Sequence, residues 1–192
     1  RKLLSPFEYT KRESLARLLD ARPGEYAAVI LEHGGDEPTG DFLAKVRDLA
    51  HRHGAVFVWD EIVTGLRWAR GGAQERYGVV PDLACFGKAL GNGLPIAAVV
   101  GNRALMAEFE RVFVSMTYGG DVLALAAARA VLDEIARTPV VEHLWRLLQH
   151  PAEAAEAGFP TGRILSRNQS DPGCHFAARA KLSPVADGGD NR

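Results

Sequence analysis

Three apolar runs in this chain end in side chains that do chemistry. Residues 27–31 lead into Glu32, 56–59 lead into Asp60 and Glu61, and 83–86 lead through Gly87 into Lys88. In open α/β sheets, ligands collect beyond the carboxyl ends of parallel strands. Neighbouring parallel strands would therefore bring Asp60 and Lys88 to one edge. A carboxylate and an amine at such an edge admit two readings. One is an ion pair, or two solvated caps. The other is more specific: a lysine that forms a Schiff base, with an aspartate that keeps a pyridine nitrogen protonated. Gly87, Gly91 and Gly93 flank Lys88. They favour the second reading, because glycines let backbone approach a flat ligand without Cβ clashes. An ion pair has no need of them. A third reading takes residues 56–61 as the magnesium-binding strand of a nucleotide site. It lacks a phosphate loop of the form GxxxxGK[ST], since Ala89 follows Lys88.

The elements that must position these residues follow from two hydrophobic periods. Residues 15–20 carry a short helical signal, closed by Pro23-Gly24. The runs 27–31, 55–59 and 83–86 are continuous apolar strands of the kind covered on both faces. Between the first two, Phe42, Val46, Leu49 and Ala50 recur at helical spacing, and Gly54 ends that helix. A turn-rich segment spans 65–78. Residues 96–100 form a fourth strand. The loop before it is too short for a helical crossover, so it is expected to run antiparallel to the third. Further helices are expected over 101–110, 122–135 and 140–148. Strand, helix, strand at this spacing gives a mostly parallel sheet with helices packed on it. After about Gln149 the regular periods stop. The prolines at 151, 160, 172 and 184 and the ending Asp187-Gly188-Gly189-Asp190 suggest a poorly ordered terminus.

The totals narrow the function classes. The chain has 192 residues, 47% hydrophobic and 24% charged, with 23 Lys and Arg against 24 Asp and Glu. Such a composition is globular. The balance of −1 offers no basic excess for nucleic acid. No apolar stretch is long enough to span a bilayer. Two cysteines make neither a disulfide framework nor a zinc site, which suggests a reducing cytoplasm. The six histidines show no metal spacing and are expected on the surface or in loops. The chain opens on Arg1 rather than Met, so a processed chain or an excerpt is expected.

The sequence Phe57-Val58-Trp59-Asp60-Glu61-Ile62-Val63-Thr64-Gly65-Leu66-Arg67 resembles the signature of the class III pyridoxal-phosphate aminotransferases. So do Gly78-Val79-Val80-Pro81-Asp82-Leu83 and Gly87-Lys88-Ala89-Leu90-Gly91-Asn92-Gly93-Leu94-Pro95. The similarity covers about residues 26–136, and Gly71-Gly72-Ala73-Gln74 is most similar to the glutamate-1-semialdehyde aminomutase branch. The resemblance implies an α/β fold: the large domain of a fold-type-I transferase, with a mostly parallel sheet and helices on both faces, present in part. Residues 1–150 would be that partial domain and 151–192 a curtailed C-terminal segment.

The resemblance also implies roles. Lys88 matches the lysine that holds pyridoxal 5′-phosphate as a Schiff base and then moves the substrate proton. Asp60 matches the partner of the pyridine nitrogen. Ile62 matches the branched residue on one face of the ring, and is equally compatible with a plain core position. Thr117 matches a threonine that bonds the cofactor phosphate, usually across a dimer interface; a helix cap before 122–135 is the alternative. Glu32 matches a glutamate on the substrate side. No metal is implied. The reaction would be amino transfer between an amino donor and a carbonyl acceptor, of transaminase or 2,1-aminomutase type, in a homodimer. Two positions depart from the pattern. Val63 stands where many members have Gln, and Asp121-Val122 where many have Asn-Pro. The Gly/Ser phosphate loop and the second ring-stacking residue are not recognisable. Weak cofactor binding and little turnover are therefore expected of these 192 residues alone. A non-catalytic remnant acting only as a dimerising module is the competing expectation.

Overall fold

The computed structural model describes residues 3–33, 38, 40–114 and 116–150, and the backbone of 175–179. In chain order the strands are β1 (Leu4–Pro6), β2 (Tyr26–Glu32), β3 (Val56–Asp60), β4 (Leu83–Phe86), β5 (Ala98–Gly101) and β6 (His175–Arg179). The helices are α1 (Arg12–Asp20), α2 (Phe42–Arg52), α3 (Ala73–Tyr77), α4 (Arg103–Ala107), α5 (Val122–Arg137) and α6 (Val140–Gln149). One sheet forms, in the order β1-β6-β2-β3-β4-β5. The pairs β2–β3 and β3–β4 are parallel. β5 runs antiparallel to β4, as the short connection requires. β6 is antiparallel to both β1 and β2. The central four strands, β2 to β5, are thus mixed and mostly parallel, and the expected α/β class stands.

Strand alternation decides which face is covered. Val29, Leu31, Phe57 and Trp59 are fully buried, and the register pairs Val29 with Phe57 and Leu31 with Trp59. Against that face pack Leu15 and Leu19 of α1 and Phe42, Val46, Leu49 and Ala50 of α2, all in one core cluster. Each large apolar side chain buried here contributes about 1.5–3 kcal/mol. The helical spacing in α2 follows from that single buried stripe, and Gly54 beyond it takes φ +71, a left-handed position suited to glycine. The opposite face carries Ile30, Val56, Val58 and Asp60, which are only half-buried. Both α1 and α2 therefore lie on one face, and the other stays partly open among the described residues.

A second cluster forms where Phe86, Leu90, Ile96 and Ala98 meet Ala128, Val131 and Ile135 of α5. It buttresses the segment that follows β4.

Three local expectations change. The turn-rich segment 65–78 contains the five-residue helix α3, too short to raise a period. The fourth strand begins at Ala98 rather than 96, because Ile96 N–H donates to the Leu94 carbonyl within the preceding turn. The expected loss of order after 149 is interrupted by β6, inserted between β1 and β2. Its core, Phe176-Ala177-Ala178, is too short to show a pattern, and its place depends on pairing with residues about 145 positions away. The other expectations for 151–192, poor order included, lie outside the described residues.

Candidate active site

The register of the parallel strands aligns three side chains across the sheet. Glu32 pairs with Asp60, and Asp60 with Cys85. In-register residues on neighbouring strands share a face, so the three form a row near the carboxyl ends of β2, β3 and β4. Asp60 alternates with the buried Trp59 and Glu61, so the row lies on the half-open face. Asp60 Oδ1 accepts a hydrogen bond from Ile62 N–H at 2.9 Å. This holds the carboxylate against its own backbone and leaves its other oxygen for a partner. Glu61 N–H donates to the Cys85 carbonyl at 2.8 Å, which carries the β3–β4 ladder past the end of β3.

Lys88 follows one residue after β4. It opens a 3-10 turn, Lys88–Leu90, and its side chain is exposed. Its φ is +41, a left-handed value that lysine rarely adopts. The conformation is held by Leu90 N–H on the Gly87 carbonyl at 2.9 Å, and by Asn92 N–H on the Lys88 carbonyl at 3.0 Å. Leu90, buried against α5, anchors the turn from below. Strain of this kind costs about 1–3 kcal/mol and persists where surrounding structure over-determines it, commonly at functional residues. Gly87 adjoins Ile62: a Cβ built there would meet Ile62 Cγ2 at 3.5 Å. The structure thus brings the lysine turn beside the Asp60–Ile62 segment. The ion-pair alternative is not realised. Among the described residues Asp60 and Lys88 form no salt bridge, and Asp60 is turned to the Ile62 amide instead.

Two of the glycines around Lys88 also serve the loop itself. A Cβ on Gly91 would lie 2.7 Å from Ile96 Cγ2, so Gly91 is needed by the loop's own packing. Gly93 has φ +111 with open space around it, so it serves the turn.

Thr117 lies exposed in the turn before α5. The cap of α5 is Asp121, whose Oδ1 accepts from Leu123 N–H at 2.9 Å and Ala124 N–H at 3.0 Å. That removes the capping alternative for Thr117. Glu32 is half-buried in the row with Asp60. Arg67 is exposed and borders a cleft of about 430 Å³ with Leu66, Ala89, Asn92 and Glu134. The cleft includes neither Asp60 nor Lys88.

Two features were missed in the sequence. The first is Cys85, which the sequence shows only as part of the apolar run 83–86. Burial, and then the negative charge of Asp60 across the register, push its thiol above the ordinary value. Alternation alone could have placed it on one face, but not opposite Asp60. The second is His33, expected on the surface or in a loop; it follows β2 outside any strand or helix, yet it is buried. Its Nδ1 meets the Tyr9 hydroxyl at 2.6 Å, and its ring packs edge-on to Trp68 at 4.3 Å between centroids. Among the described residues no group of three His, Cys, Asp or Glu is placed to hold a metal. No described helix is long and apolar enough to cross a membrane.

This donor set suits a flat heteroaromatic ring joined to an amine. It has a carboxylate with an available oxygen, a branched apolar side chain beside it, an exposed amine on a braced turn, and no Cβ at Gly87. Residues 6–154 match the family model described as aminotransferase class-III. The chain belongs to the class III aminotransferase family, whose members are pyridoxal-phosphate enzymes of fold type I. It is 38% identical over 186 residues to a glutamate-1-semialdehyde 2,1-aminomutase of Syntrophobacter fumaroxidans, covering 89% of this chain and 42% of that protein. To the enzyme of the same name from Roseiflexus castenholzii it is 42% identical over 168 residues, covering 80% and 39%. Among solved structures it is similar to the internal aldimine form of the Sphingopyxis FumI protein, with TM-score 0.68 and 28% identity over 79% of this chain and 37% of that one. An omega-transaminase from Sphaerobacter thermophilus gives TM-score 0.68 and 27% identity, covering 78% and 36%. The chain thus spans about two fifths of the length of the relatives it matches.

Proposed function

We propose that this chain carries the catalytic centre of a pyridoxal-phosphate-dependent amino-transfer enzyme, of transaminase or 2,1-aminomutase type. Its substrates would be a small amino donor and a carbonyl acceptor. The observation that carries the reading is the pairing of Asp60, fixed by the Ile62 amide on the half-open face, with a left-handed Lys88 braced beside Ile62.

When bound, the cofactor would supply an electron sink for the charge left on carbon after a proton departs. The residues have separate tasks around it. Lys88 Nζ would hold the cofactor covalently, then carry a proton between two carbons once the substrate amine has taken its place. The braced turn limits where Nζ can reach, and such restriction is what raises the effective concentration of a catalytic group. Asp60, through the oxygen not used by Ile62 N–H, would keep the ring nitrogen protonated. A carboxylate held in advance needs no reorganisation when charge develops. Ile62 would pack on one face of the ring and exclude water there. Glu32, one strand away in the same row, would meet the substrate side. Thr117 is offered for the phosphate on the family resemblance, supported by its freedom from a capping role.

A second copy of the chain is the expected partner. Phe113, Val122, Leu123 and Leu125 are exposed apolar side chains on and before α5, and soluble monomers rarely leave such groups clustered. Sedimentation velocity reads the resulting mass.

The test is a titration of the chain with pyridoxal 5′-phosphate, borohydride reduction, and peptide mapping. A stable adduct on Lys88, absent in Lys88→Ala, is the expected result. A folded chain with no adduct on Lys88 would refute the reading and leave the non-catalytic remnant in its place.

A further inference from the structure

Glu61 is a carboxylate with no solvent exposure, in a segment that contributes Asp60 and Ile62 to the site. Strand alternation sends it to the side opposite Asp60, toward the buried face. There both its oxygens are engaged. Oε1 accepts from Gln74 N–H at 2.8 Å, and Oε2 accepts from Ala73 N–H at 2.9 Å and from the hydroxyl of the equally buried Thr64. The space is cut to fit it. A Cβ on Gly72 would lie 2.5 Å from Glu61 Cδ, and Gly72 takes φ +87. One carboxylate therefore ties together the start of the 61–72 excursion, its first turn and its far end. A buried charge is expensive unless it is hydrogen-bonded on every side. A neutral apolar residue would fill the position more simply if packing were its whole purpose.

From this geometry we infer that Glu61 is a positioning residue for the cofactor site. Fixed on the inner face, it sets the backbone of 60–62 and thereby the orientation of Asp60 and Ile62 on the outer face. The coupling is short. The Asp60 carboxylate is held by Ile62 N–H, and Ile62 lies between Glu61 and Thr64, which are bonded to each other by their side chains. The rest of the excursion is independently anchored. Trp145 Nε1 of α6 donates to the Trp68 carbonyl at 3.0 Å, and the Arg76 guanidinium lies over the Trp145 ring at 4.6 Å. Loss of the Glu61 contacts would thus free 60–64 locally rather than release the whole loop. The inference rests on the functional reading above for the meaning of Asp60 and Ile62, but not for the coupling itself.

The experiment uses the full chain and two readouts. The first needs no cofactor: amide hydrogen exchange, resolved at Ile62, Ala73, Gln74 and the β3 amides. The variants are Glu61→Gln, which is isosteric but presents an amide to the donors, and Thr64→Val and Thr64→Ser. Glu61→Gln is expected to speed exchange at Ile62 by about 10- to 100-fold, the range for losing a charge-assisted hydrogen bond, with the Phe57 and Val58 amides unchanged. Thr64→Val should do the same to a smaller degree, and Thr64→Ser should match the parent. Faster exchange confined to Ala73 and Gln74 would overturn the inference, since it would make Glu61 a staple for α3 alone. If Glu61→Gln does not fold, the Thr64 pair decides by the same criterion at Ile62. The second readout is the visible circular dichroism of added pyridoxal 5′-phosphate, per mole of Lys88 adduct. It should fall at least about twofold in Glu61→Gln and Thr64→Val and return in Thr64→Ser. An unchanged signal per adduct would overturn the link to the cofactor. A parent chain that forms no adduct would refute the proposed function, while exchange at Ile62 would still decide the coupling.

Discussion

Gly72→Ala should be among the most damaging single-methyl changes in this chain. Two terms combine. Gly72 has φ +87 and ψ −158, a region essentially restricted to glycine, where a side chain costs about 1–3 kcal/mol. The new Cβ would also lie 2.5 Å from Glu61 Cδ, where ordinary contact begins near 3.4 Å. The carboxylate must retreat by roughly 1 Å, and its 2.8 and 2.9 Å bonds to Gln74 and Ala73 then exceed hydrogen-bonding range. Losing charge-assisted bonds in a buried setting costs about 1.5–3 kcal/mol each before relaxation. A total of about 4–9 kcal/mol follows before relaxation. Gly78→Ala is the control. Gly78 also has positive φ, +65, but a Cβ there meets nothing within 4 Å, so only the backbone term of about 1–2 kcal/mol applies. Urea unfolding followed by tryptophan fluorescence separates the two. With a slope of about 1–3 kcal/mol per molar urea, the Gly72 variant should unfold at a midpoint lower than the Gly78 variant by about 1 M or more. Midpoints within about 0.3 M of each other would refute the claim that the Glu61 carboxylate fills this space.

Two further outcomes follow from the site and its frame. Asp60→Asn should accelerate alkylation of Cys85 by iodoacetamide at about pH 8.5, by about two- to fivefold, because removing a negative charge lowers the thiol's raised value and increases its thiolate fraction. Burial, the larger cause, persists, so the rate should stay below that of the urea-unfolded chain; peptide mass spectrometry reads it, and a slower rate in the variant would contradict the charge coupling. Asp121→Ala should lower stability by about 1 kcal/mol through loss of the α5 cap, whereas Thr117→Ala should leave it unchanged within error. Equal losses in urea unfolding would return a capping role to Thr117.

The sequence alone placed the candidate site residues at strand ends, because that part of the problem is local. Apolar runs ending in Glu32, Asp60 and Lys88 mark strand ends by composition. The short loop between β4 and β5 limits their pairing to antiparallel, and the motif around Lys88 is contiguous. Tertiary structure decided what sits opposite what. The alignment of Cys85 with Asp60 depends on a register across 25 residues of chain, and a shift of one would have sent the thiol to the other face. The burial of His33 depends on Tyr9, Trp68 and Tyr77, drawn from three separate segments. The adjacent side chains of Asp60 and Glu61 carry the same carboxylate group. Strand alternation and the space left by Gly72 send one to the open face and bury the other among backbone amides. Side-chain identity and local period are written in the sequence, whereas partners that lie far apart in the chain are chosen only when the sheet closes its ladder.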